Sequence, residues 1–155
     1  MSRRSTTFLL PQRYYGAGIV VATALLCGLA WAEPSAPTIA HCAECVAALK
    51  ARGEPLAQRV KRGDATAEAL LMPIVKSSFA FIGTVYKQGV RSPQAEELLR
   101  SAEKAQADLP PDDLVKLQDA CQIEGDQLLK DANFFEQAFV NHMARMRMDR
   151  LRRKH

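Results

Sequence analysis

His41, Cys42, Cys45 and Cys121 are the side chains best equipped for chemistry in this 155-residue chain. A thiol can form a disulfide, attack as a redox nucleophile or bind a metal, and its neighbours decide which. Cys42-Ala43-Glu44-Cys45 is a C-x-x-C pair near the start of a predicted helix, where the dipole favours the thiolate. Redox enzymes that use such a pair carry it after a strand, and no strand pattern precedes it here. His41 with the three thiols matches the ligand count of a closed zinc site, although only one side of the set is a close pair. Covalent haem attachment is excluded, because Val46 stands where that motif needs histidine. A bridge from Cys42 or Cys45 to Cys121 is the structural alternative. Taken from Cys45 it would close a loop of 76 residues, worth roughly 4 kcal/mol at most by chain entropy. One cysteine is then left over, either packed as a small hydrophobe or free to link two copies in a homodimer.

Two further groups invite a chemical reading. His142, Met143 and Met146, with Met148 beyond, have the soft-ligand composition that suits cuprous copper. The competing account is packing, since Met143 and Met146 continue an apolar row begun by Phe139. Arg145, Arg147, Arg150, Arg152, Arg153 and Lys154 form a basic tail that could meet an anionic surface of the cell envelope. The same charges also complement a helix C-terminus. Nucleic acid is not expected as a partner, because no aromatics alternate with these residues to stack on bases. No serine elbow, no His-Glu-x-x-His and no phosphate loop is present, so the chain reads as non-catalytic. No cofactor is expected, with zinc or copper as the alternative.

The N-terminus states where this chemistry would take place. Arg3, Arg4 and Arg13 form a basic region without an acid. Tyr14 to Ala32 is then uncharged, and Ala30-Trp31-Ala32 has the form of a signal peptidase site. Residues 1–32 therefore read as a signal peptide, with an uncleaved anchor over 14–32 as the alternative. Either way the remainder is exported, giving a periplasmic or secreted protein of a bacterial envelope. Ser2-Arg3-Arg4 is a poor twin-arginine match because Phe8-Leu9 lie too far downstream. Leu26 before Cys27 spoils a lipoprotein box. The full chain has 21 basic and 17 acidic residues. Without the three leader arginines the balance is 18 to 17, net +1. Six of those cations lie in residues 144–155 beside one acid, so residues 33–143 have 12 basic and 16 acidic residues, net −4.

The elements that must position these groups are helices. Residues 33–37 read as a Pro-rich linker before a single helical domain over 38–155. Thr38 caps a first helix expected to reach about Arg52, where Gly53 would close it, with a short segment following from Pro55 to Gly63. Asp64 caps the most apolar helix, in which Leu71, Ile74, Ser78, Phe81 and Val85 form one row and Phe79, Ile82 and Tyr86 a second. Apolar on most of its circumference, it should lie at the centre, kinked or broken by Pro73 and ended by Gly89. Ser92-Pro93 reads as cap and first helical residue of an element with Ala95, Leu98, Leu99, Ala102, Ala105 and Leu109 inward. Asp112 or Asp113 starts the next helix, with Leu114, Leu117, Cys121 and Leu128 inside. Asn133 and Glu136 form a capping box for a last helix whose inner row is Phe134, Phe135, Phe139, Met143 and Met146. The fold expected is all-α, a small antiparallel bundle of four to five helices behind the leader. The function expected is a binding or structural role in the envelope, with an unknown envelope protein or an anionic envelope surface as partner. A thiol-redox or metal protein built on Cys42, Cys45 and Cys121 is the alternative.

Overall fold

A computed structural model describes residues 36–153. The leader, most of the linker and Lys154 lie outside the described residues. Five helices follow one another: α1 (Ile39–Lys61), α2 (Ala65–Lys87), α3 (Ser92–Ala107), α4 (Pro111–Asp131) and α5 (Phe134–Arg152). No strand occurs among the described residues, and the fold is all-α.

The local signals that begin and end these helices are short polar caps and two glycines. Thr38 accepts from the His41 amide at 3.2 Å, Asp64 from Ala67 at 2.9 Å, and Asn133 from Glu136 at 3.0 Å. Glu136 returns a carboxylate to the Asn133 amide, completing the capping box. Gly63 and Gly89 take φ of 86° and 89°, which turns the chain after α1 and after α2 where a Cβ would be strained. The helix α3 starts one residue earlier than Ser92-Pro93 reads, since Arg91 is the cap residue and Ser92 already helical.

Two expected interruptions are absent. The first helix does not stop at Gly53 but continues through Gly53 and Pro55 to Lys61, and α2 continues through Pro73. Both prolines are exposed, as are Ala51 and Ala69 four residues before them, so the carbonyls that lose a helical partner belong to residues open to solvent. Gly53 is buried at the α1–α2 crossing instead. A Cβ there would lie 3.1 Å from Leu71 Cδ1, so the residue is small to let two helices approach.

Packing makes α1 and α2 the central pair. Of the two, α2 touches α1, α4 and α5, and α1 touches all four other helices. Cys42, Cys45, Ala48 and Leu49 from α1 meet Ile74, Phe81 and Val85 from α2, Cys121 from α4 and Val90 in one cluster. A second cluster joins Ala57, Val60, Ala67 and Leu71 to Met148 and Leu151 of α5. On α2 the buried serine is Ser77, not Ser78; Ser78 turns its hydroxyl back to the Ile74 carbonyl. On α3 Ala105 is exposed and the buried side chain is Gln106, donating to the Glu44 carbonyl at 2.8 Å, while Leu109 lies beyond the helix end and is exposed.

The last helix departs furthest from expectation. Its buried row is Val140, Ala144, Met148 and Leu151. Phe134, Phe135 and Phe139 are 78%, 81% and 59% exposed, Met146 is exposed, and Met143 half-buried. Both rows are apolar, and the smaller Val and Ala let α5 come close to α2 while the rings face out.

Candidate functional site

Two places in the bundle concentrate chemistry or binding surface. The first is the junction of α1, α2 and α4. Cys45 and Cys121 are joined by a disulfide there, and Cys42 is a free, fully buried thiol. Position explains the choice: Cys45 and Cys121 lie on facing inner rows with Cα atoms 5.2 Å apart, within the span a disulfide bridges. Cys42 itself has no exposed surface.

His41 closes the outer side of this junction. Its Nε2 donates to Glu124 Oε2 at 2.7 Å, its Nδ1 stands 3.6 Å from Glu44, and its ring meets Phe81 edge-on. The Glu124 carboxylate holds His41 above its ordinary pKa, against the opposing effect of burial, and Glu44 adds to the rise. Burial, then the nearby Glu124 carboxylate, push the Cys42 thiol up to about 11. That outcome is opposite to the thiolate expected from a helix N-terminus, because desolvation outweighs the dipole at a fully buried sulfur.

The four-ligand set of His41, Cys42, Cys45 and Cys121 is not assembled here, since two of its sulfurs are bonded to each other. What does assemble is His41, Cys45 and Glu124, whose ligand atoms lie within 4.8 Å of one another. Glu124 is 83 positions from His41, and no local spacing links the two. His142, Met143 and Met146 do not share an inner face: His142 and Met146 are exposed on α5 and Met143 borders the groove described next.

The second place is a groove. Helices α4 and α5 barely touch, and the space between them, floored by α2, holds about 1090 Å³. Phe79, Ile82 and Tyr86, the second apolar row of α2, form its floor, and Phe135, Phe139 and Met143 one wall. Leu128 and Leu129 close the α4 side. Across it Lys87 reaches Glu136 at 2.6 Å, which holds the Glu136 carboxyl below its usual range. A mostly apolar concavity with few polar groups is the kind of surface that takes an apolar ligand or partner. The sequence showed both rows that build it, and read one as central core and the other as the inner face of α5.

The basic residues continue from this wall. Arg145, Arg147, Arg150 and Arg152 are exposed on α5, and Arg153 is exposed at its C-cap. Arg152 pairs with Asp149 at 3.0 Å and with Glu68 at 3.4 Å, whereas the other four have no carboxylate within 4.0 Å among the described residues. The chain matches no protein-family model, no curated protein and no solved structure.

Proposed function

We propose that this chain is an exported, non-catalytic helical protein of the bacterial cell envelope that works by binding, with the α2–α4–α5 groove and the outward aromatic row of α5 as its contact surface. The observation that carries the reading is the exposure of Phe134, Phe135 and Phe139 beside an open apolar groove. Three adjacent exposed rings are a hydrophobic surface that a free monomer leaves to water at a cost, and a partner removes that cost. The leader-like N-terminus supports the periplasm or the exterior as its place, and the disulfide fits an oxidising compartment. Fractionation of a bacterial host tests the location: release with the periplasmic contents, or retention on the outer side of the inner membrane, is expected. Retention in the cytoplasm would contradict it. N-phenyl-1-naphthylamine, an apolar fluorescent probe, tests the surface. The wild-type protein should enhance its emission, and the Phe139→Ser, Met143→Ser pair should lose most of that enhancement.

One observation favours a second reading. The clustering of His41, Cys45 and Glu124 would let the reduced protein present a zinc site, with Cys121 released as a further thiolate. Native mass spectrometry after reduction and addition of zinc decides it. One retained zinc ion, lost in His41→Ala, supports the metal reading, and no retention overturns it.

A further inference from the structure

The outward face of α5 is organised along its length as well as around it. At 100° per residue, Phe135, Phe139, His142, Met146, Arg150 and Arg153 fall on one narrow strip. The strip spans 19 residues, about 27 Å, with Phe135 and Phe139 at its start, His142 and Met146 between, and Arg150 and Arg153 at its end. Arg145 and Arg147 flank it, exposed and without a carboxylate partner among the described residues. The opposite side of the helix is the packed row of Val140, Ala144, Met148 and Leu151. So the strip is anchored to a rigid body and is not a free amphipathic peptide.

We infer that this face lies on an anionic lipid bilayer, with the rings of Phe135 and Phe139 inserted below the headgroups and the arginines paired with lipid phosphates. The inference rests on the reading of the chain as an exported binding protein and names what it binds. Charge decides the occupant. A partner for the strip must offer apolar depth at one end and several negative charges at the other. A second copy offers only Glu136 and Asp149 on the same helix, and these are held by Lys87 at 2.6 Å and by Arg152 at 3.0 Å. Self-association would thus leave Arg145, Arg147, Arg150 and Arg153 unmatched and bring two sets of them near each other. An anionic leaflet supplies acyl chains and a phosphate for each cation in one plane, which is how interfacial helices bind. Phe79 and Ile82 in the groove beside Phe139 extend the apolar side of that contact.

The test is co-sedimentation with vesicles, using protein purified after export by a bacterial host and variants prepared in the same form, so that any retained leader contributes equally. Vesicles are phosphatidylcholine alone, or phosphatidylcholine with about a third phosphatidylglycerol. The wild-type protein should partition to the anionic vesicles and little to the neutral ones. Arg145→Gln, Arg150→Gln and Arg153→Gln together should weaken that binding by about a hundredfold. Phe135→Ser with Phe139→Ser should weaken it at least tenfold, and raised salt should weaken the wild type far more than the arginine variant. All five positions are exposed, so thermal melts of these variants should match the wild type. Equal binding to neutral and anionic vesicles, binding unchanged in both variants, or no binding at all would overturn the inference. So would a dimer in light scattering that Phe135→Ser with Phe139→Ser returns to monomer, since the face would then belong to a second copy. Failure here with the protein still found outside the cytoplasm leaves the envelope reading standing. Cytoplasmic retention removes that reading itself.

Discussion

The two sides of α2 are built on opposite plans. Toward α1 and α4 the helix is pressed against small residues and a covalent bond. A Cβ on Gly125 would lie 2.6 Å from Ser77 Cβ and 3.0 Å from Phe81, and the Cys45–Cys121 bridge stands in the same cluster. Ser77 donates to Asp126 at 2.6 Å and Gln122 Nε2 donates to Ser77 at 2.7 Å, while Gln122 Oε1 is buried without a partner among the described residues. Toward α5 the helix has a close seam only where Val140, Ala144 and Met148 meet it, and beyond that seam the groove opens. The difference teaches that this bundle spends its smallest residues on fixing α1, α2 and α4 as a rigid unit. Three of its phenylalanines, Phe134, Phe135 and Phe139, stand outside that core and are mostly exposed. Rings that do not stabilise the fold are the ones free to contact something else.

Several substitutions would break or sharpen that contrast. The largest effect belongs to the staple: Cys45→Ala with Cys121→Ala should lower stability by roughly 2–5 kcal/mol in guanidinium melts. A loss below about 1 kcal/mol would mean that packing alone fixes α4. Met148→Ala, which empties a fully buried site between α5 and the α1–α2 pair, should cost about 2–5 kcal/mol in the same melt. Gly125→Ala comes next, at about 1–3 kcal/mol, because the added methyl meets Ser77 backbone and side chain and the helices must separate.

The smallest effect is that of pH. Because His41 has its pKa raised above 6.5 in the folded state, the protonated form is the one the fold favours. Its contribution is fully present below pH 6.5 and fades as pH rises through the folded pKa. The side chain is more than a third exposed, so the step should be no more than about 0.2–1 kcal/mol. Melting the wild type and His41→Gln from pH 5.5 to 9 checks this: the wild type should lose that increment on the alkaline side, and the variant should show no such step.

How much of this was legible beforehand follows from what each signal encodes. Caps are local chemistry, so Thr38, Asp64 and the Asn133–Glu136 box mark their helices correctly. Gly63 and Gly89 do so as well. Gly53 was misread because a glycine at a helix crossing and a glycine ending a helix look alike in one dimension; only Leu71 opposite it tells them apart. Pro55 reads as the start of a separate segment and Pro73 as a kink or break, but each faces solvent, and the cost of a proline depends on what its orphaned carbonyl meets. On α5 periodicity found a row of large apolar residues and could not know that a second row, Val140, Ala144, Met148 and Leu151, would take the core. The candidate groove shared that blindness, since it exists only because α4 and α5 diverge. The pairing of Cys121 with Cys45 and not Cys42 needed the register of two helices far apart in sequence.

Hydroxyl-radical footprinting of the protein in solution tests the central claim most directly, because it reads both rows of α5 in one experiment. Phe134, Phe135, Phe139 and Met146 should be labelled readily while Met148 is protected, and adding phosphatidylglycerol vesicles should shield Phe135 and Phe139 without exposing Met148. Strong labelling of Met148 with protection of Phe135 and Phe139 in the free protein would contradict the account, for it would mean that the aromatic row forms the core.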